Sequence, residues 1–99
     1  MTAKTSDLWS AYLLHITNGA TQVEIAKAVG TTQVTISRWL NTGLVPTSAP
    51  VAAKVARAYG RNPLEAFVAA GMLNEDEAGR GLDDESRDLL AGLRSLRHG

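Results

Sequence analysis

Apolar residues recur at three- and four-residue intervals along most of the chain, and glycine or proline interrupts each run. That is the signature of short amphipathic helices. Leu8, Tyr12 and Ile16, widened by Trp9 and Leu13, predict a first helix over residues 7–18. Thr5 or Ser6 can cap it, and Gly19 closes it. Thr21-Gln22-Val23-Glu24 has the form of a capping box and opens a second helix. Val23 or Ile25, with Ala26 and Val29, give its buried face, and Gly30 ends it. A third helix follows Thr32 and runs to about Leu40 or Asn41, with Ile36 and Trp39 or Leu40 inward, until Gly43 stops it. Residues 42–49 read as a loop. The fourth helix starts near Ser48 with Pro50 in its first turn, and repeats Val51, Val55 and Tyr59 beside Ala52 and Ala56. The fifth has Asn62 as cap and Pro63 at its first position, then Leu64, Phe67 and Val68 before Gly71. No alternating run bounded by turn dipeptides predicts a hairpin, so the fold class is all-α.

Beyond Gly71 the character changes. Asn74 can cap a short turn of helix over 75–77, Gly79-Arg80-Gly81 reads as a hinge or linker, and Asp83 or Asp84 caps a last helix to about Arg97. Acids fill the first turn of that helix and arginines its last, which suits the helix dipole. The chain thus divides into a five-helix domain over 1–71 and an acidic linker with a C-terminal helical extension over 72–99. Leu89, Leu93 and Leu96 form a stripe too short to stand alone in water. It must dock on its own domain or pair with a second copy, and both readings stay open.

Composition sets bounds on function. Ninety-nine residues fit one modest core. With five aromatic residues, that core is built chiefly of Ala, Val, Leu and Ile. The absence of cysteine removes disulfides, thiolate metal sites and a thiol nucleophile. No apolar run approaches the ~20 residues that span a bilayer, and the polar start has no signal-peptide core. A soluble, cytoplasmic protein is expected. No Ser, His and Asp set, phosphate-binding glycine loop or metal-ligand spacing is present, so neither an enzyme nor a cofactor is expected. His15 and His98 are too far apart to suggest a metal.

The formal net charge is zero, but it is unevenly distributed. Residues 1–71 hold six basic against three acidic side chains. Residues 72–99 hold four basic against seven acidic, so a mildly basic domain precedes an acidic segment.

The stretch 22–40 carries the chemistry. Two short helices separated by a tight turn need a small residue at their crossing, which Ala26 supplies, and a turn residue free to take positive φ, which Gly30 supplies. Ile25, Val29, Ile36 and Trp39 form the apolar seam between them. Gln33, Val34, Ser37 and Arg38 are left on a shared exposed face of the third helix. Trp39 is read as core, as are Trp9 and Tyr12.

The pattern Gln-x-x-Ile-Ala-x-x-x-Gly-x-Thr-Gln-x-x-Ile-Ser-Arg-Trp over residues 22–39 resembles the helix-turn-helix of the lambdoid phage repressor and Cro (XRE) family. The helix order over 7–70 extends the resemblance to about two-thirds of the chain. It implies a repressor-like DNA-binding domain, and a transcriptional regulator of the phage-immunity-repressor kind whose partner is double-stranded operator DNA. The resemblance implies that Gln33 reads a base, as a glutamine amide can pair with adenine N6 and N7. Val34 would meet a thymine methyl, and Ser37 and Arg38 would face the groove one turn on. Thr21, Gln22, Thr32, Thr35, Asn41 and Thr42 are the expected phosphate or backbone contacts. Homodimerisation through Leu89, Leu93 and Leu96 would place two such helices on adjacent half-sites.

Two departures from the family pattern stand out. The loop over 42–50 has no Lys or Arg, so few phosphates are neutralised there. The place of a frequent ion pair between the first and third helices offers His15 and Leu40, so apolar packing is expected there. A rival reading, from another functional class, makes the acidic segment the toxin-binding part of an antitoxin. No small-molecule site is evident.

Overall fold

The computed structural model describes residues 7–98 and the side chains of residues 8–95. The caps expected at Thr5 or Ser6 and the side chains of Leu96, Arg97 and His98 lie outside those residues. Seven helices occur among the described residues, and no strand. They are α1 (Asp7–Thr17), α2 (Gln22–Val29), α3 (Gln33–Asn41), α4 (Ala49–Ala58), α5 (Pro63–Ala69), α6 (Glu75–Ala78) and α7 (Asp84–His98). Side-chain caps set the starts. Thr21, Thr32, Ser48, Asn62 and Asn74 each accept a hydrogen bond from a first-turn backbone N–H. Each such cap contributes about 1 kcal/mol.

Two aromatic residues of α1 form the centre of the core. Trp9 and Tyr12 are wholly buried, 5.7 Å apart between ring centroids. The Trp39 ring of α3 stands edge-on to Trp9 at 5.5 Å. Edge-to-face pairs of this kind add about 0.5–1.5 kcal/mol beyond area burial, and this one fixes α3 against α1. Ile25, Ala26 and Val29 of α2 and Ile36 of α3 close the seam. Val23 is exposed, so of the two residues weighed for the inner face of α2 it is Ile25 that faces the core.

Burial on α4 and α5 does not follow the apolar positions alone. Leu64 and Phe67 of α5 are half-buried, while Glu65, Ala66, Val68 and Ala69 face inward. On α4, Ala52, Ala53, Val55 and Ala56 are buried, and Val51 and Tyr59 are half-buried. The reason is the C-terminal extension. Helix α7 rests on α1 and α5, and Leu82, Leu90 and Leu93 join the common core. The face of α5 that the extension covers is the one carrying Glu65.

Glu65 is the polar centre of that contact. Its side chain is 1% exposed, yet it is fully engaged. Tyr12 Oη donates to Oε1 at 3.1 Å, Ser86 Oγ to Oε2 at 2.5 Å, and Arg61 donates from Nε to Oε1 at 3.0 Å and from Nη2 to Oε2 at 2.7 Å. Burial, with the Glu65 charge, pushes the Tyr12 phenol well above its usual range. The hydrogen bond to Glu65 likewise raises the Arg61 guanidinium. Glu65 thereby ties α1, α5 and α7 together.

Residues 79–81 are no hinge. They form a short 3-10 turn whose carbonyls are held from both sides. Arg87 Nη2 donates to Gly79 O at 2.8 Å, and Asn62 Nδ2 to Gly81 O at 2.7 Å. Leu64 Cδ1 fills the space a side chain at Gly81 would need. Arg94 pairs with Glu75, tying α7 to α6. At the start of α7, Asp83 Oδ1 accepts from the Ser86 N–H at 2.9 Å, which holds the Asp83 carboxyl below its ordinary range.

Candidate nucleic-acid interface

The two helices of the motif meet as the sequence requires. Ala26 is buried at the crossing, and its carbonyl accepts from both Gly30 N (2.8 Å) and Thr31 N (2.9 Å). That pair of hydrogen bonds closes α2 with Gly30 at φ 85°, where a Cβ is penalised. Lys54 Nζ of α4 lies 3.9 Å from where a Gly30 Cβ would stand, a cation beside the negative end of α2. The capping box at the other end is complete. Thr21 N donates to Glu24 Oε1 at 2.8 Å, and Glu24 N to Thr21 Oγ1 at 3.1 Å.

With Ile36 and Trp39 turned inward, the opposite side of α3 is left open. Gln33, Val34, Ser37 and Arg38 line one open concavity of about 440 Å³ together with Gln22 from the start of α2. All four α3 residues expected to face bases are therefore on one surface. Val34 is 58% exposed, an apolar group amid amide, hydroxyl and guanidinium. Gln33 Nε2 donates to Gln22 Oε1 at 3.4 Å across the two helices. Such a surface offers donors, acceptors and one methyl-bearing patch, the features that base edges in a major groove complement.

The remaining expected contacts divide. The Thr21 hydroxyl accepts from Glu24 N, and its hydrogen has no acceptor among the described residues. Thr32 Oγ1 accepts from Thr35 N at 3.2 Å and shares a hydrogen bond with Thr35 Oγ1 at 3.0 Å. That pair therefore has one hydroxyl hydrogen to offer outward. Thr42 Oγ1 donates to Arg38 O at 2.7 Å, so its hydrogen closes the end of α3. Asn41 Nδ2 donates to Ser37 Oγ at 3.1 Å. Leu93 is buried inside the chain and Leu89 is half-buried against the core, while the Leu96 side chain is among those not described.

At the junction of α1 and α3, His15 is exposed and Leu40 is half-buried. Leu40 packs against the core, as the expected apolar contact requires, and Ser10 Oγ donates to Leu40 O at 3.4 Å. The sequence pattern missed this bond because a lone serine on α1 carries no signal of its partner. Arg38 and Lys27 are exposed basic residues of the two motif helices. Among the described residues, no group of three or more His, Cys, Asp or Glu is placed to hold a metal, and no helix is long and apolar enough to cross a membrane.

A family model described as helix-turn-helix matches residues 17–65, from the end of α1 into α5. No curated protein and no solved structure matches the chain. The match covers α2, α3 and α4 whole, so the concavity lies inside the matched segment. It supports a DNA-binding transcriptional regulator that uses a helix-turn-helix.

Proposed function

On the premise of a helix-turn-helix unit over residues 17–65, we propose that this chain is a sequence-specific regulator that represses transcription by occupying an operator. It reads double-stranded DNA with α3 in the major groove and works in the cytoplasm at the nucleoid. The observation that carries this reading is the open concavity in which Gln33, Val34, Ser37 and Arg38 stand together, while Ile36 and Trp39 of the same helix are buried. Gln33 and Arg38 supply the two side-chain types best fitted to bidentate base contacts, to adenine and guanine respectively. Thr21, Gln22, Thr32 and Thr35 flank them near the N-termini of α2 and α3, where free N–H groups favour phosphate oxygens.

Few basic residues lie on this face, so affinity rests on base contacts more than on counterion release. A single recognition helix of nine residues reads only a few base pairs. Two copies on half-sites about one helical turn apart would supply the rest. The immunity-repressor type of regulator fits this arrangement.

The alternative, an antitoxin, would bind its toxin through the acidic segment. Glu75, Glu77, Asp83 and Glu85 are each bonded within the chain, to Arg94 and Arg87, Asn74 N, Ser86 N and Arg61 respectively. Asp76, Asp84 and Asp88 of the same segment are exposed. Selection of bound duplexes from a random pool with the full chain tests the proposal. A regulator enriches one motif, and a two-fold symmetric motif reports the pairing of copies. Enrichment of no motif would remove the claim of sequence specificity.

A further inference from the structure

The hydrogen bond between Asn41 and Ser37 gives the concavity a polarity that its composition alone does not. Ser37 is half-buried and lines the concavity, and Asn41 lies one turn further along α3, outside its lining. Asn41 Nδ2 donates to Ser37 Oγ at 3.1 Å. An amide nitrogen only donates, so the serine oxygen must accept. The hydroxyl hydrogen of Ser37 then has no acceptor among the described residues and is free to point into the concavity. A serine by itself reads either a donor or an acceptor. With one of its two lone pairs engaged by Asn41, the serine oxygen has fewer ways to accept and is biased to donate.

We propose that Asn41 is a positioning residue that makes Ser37 a hydrogen-bond donor, so that the base edge facing Ser37 is selected for an acceptor. Guanine (O6, N7) and thymine (O4) present acceptors at that place in the major groove, and cytosine presents the N4 donor. The inference rests on the reading of α3 as the base-reading helix. It goes beyond that reading by assigning to Asn41 a role in specificity exercised through another side chain. One neutral hydrogen bond made or left unmade corresponds to about a three- to tenfold preference.

Three variants of the full chain separate the possibilities in a selection from random duplex DNA. Thermal unfolding first shows that each is folded. In the unaltered protein, one position of the motif should favour guanine or thymine over cytosine by about three- to tenfold. Ser37→Ala should flatten that position alone. Asn41→Ala should weaken the preference there, because the hydroxyl is freed to rotate. Asn41→Asp supplies the decisive result. Its carboxylate can only accept, so it takes the Ser37 hydrogen and leaves serine lone pairs facing the base. Preference at that one position should then shift toward cytosine or adenine, whatever the added charge does to overall affinity.

An unchanged base preference in Asn41→Asp would overturn the proposal while leaving the DNA-reading assignment intact. An effect on affinity alone, equal at all positions, would do the same and would make Asn41 a backbone contact. If the unaltered chain enriches no motif, the base-reading role of α3 fails and this inference falls with it.

Discussion

Replacing Arg61 by Ala should cost more stability than any exposed charge in this protein, because it strands a buried carboxylate. Glu65 is 1% exposed and takes two charged hydrogen bonds from Arg61, at 3.0 and 2.7 Å. Without Arg61 it keeps only Tyr12 Oη and Ser86 Oγ, both neutral donors. Removing one partner of a buried ion pair costs about 3–5 kcal/mol. The Arg61 side chain is 25% exposed, and water reaching the vacated space screens part of the loss. The expected cost is therefore about 2–3 kcal/mol. At about 4–8 °C per kcal/mol for a domain of this size, Tm should fall by about 10–20 °C. The third Arg61 contact, to Glu85 at 3.3 Å, is to a side chain 77% exposed. Glu85→Ala should accordingly change stability by less than about 1 kcal/mol. Urea unfolding followed by circular dichroism gives both values. A loss below about 1 kcal/mol for Arg61→Ala, or equal losses for the two variants, would refute the reasoning. Solvent would then satisfy Glu65, and the carboxylate would not be what anchors α7.

Three further outcomes follow from the packing and the site. Ala26→Leu should overpack the α2–α3 crossing and cost about 1–3 kcal/mol or more; an unaltered urea midpoint would mean the helices cross more loosely. Gln33→Ala should cost about 1–3 kcal/mol at one cognate base pair and relax preference there; binding-site selection checks this, and unchanged discrimination would remove the base-reading role. The two tyrosines should separate in an alkaline absorbance titration. Tyr59, raised by burial and by Glu24, should ionise above the usual phenol range while the chain is folded, whereas Tyr12 should ionise only on unfolding. For Tyr12 the folded-state pKa lies above the unfolded one, so its stabilising contribution is complete below about pH 10 and is lost as pH rises beyond it. Early titration of both phenols in the folded chain would show that Tyr12 is not sealed.

The parts of this fold that were legible in the sequence are those fixed by local chemistry. A capping hydroxyl or amide acts within three residues, so the starts of α2, α3, α4, α5 and α6 could be placed at Thr21, Thr32, Ser48, Asn62 and Asn74. Helical periodicity settled which side chains of α3 leave the seam, and all four expected base readers line one concavity. What could not be read depends on distant partners. Glu65 looks like an ordinary surface acid until Tyr12, 53 residues earlier, and Ser86, 21 residues later, are brought to it. Gly79-Arg80-Gly81 has the composition of a linker, and only its contacts with Asn62 and Arg87 make it a packed turn. The apolar positions Leu64, Phe67 and Val68 of α5 do not reveal that Glu65, Ala66 and Ala69 are buried, because that face is covered by the distant α7. Within the site, composition could not show that the Thr42 hydroxyl closes α3, or that Ser37 and Asn41 are joined.

The central claim, that the open edge of α3 meets DNA while α7 does not, is tested most directly by amide chemical shifts. The full chain would be titrated with a duplex enriched from the random pool and followed residue by residue. The largest shifts should fall at Thr21 and Gln22 and along Thr32 to Asn41, with α6 and α7 nearly silent. Shifts concentrated on α6 and α7, with Gln33 to Arg38 unmoved, would contradict the claim.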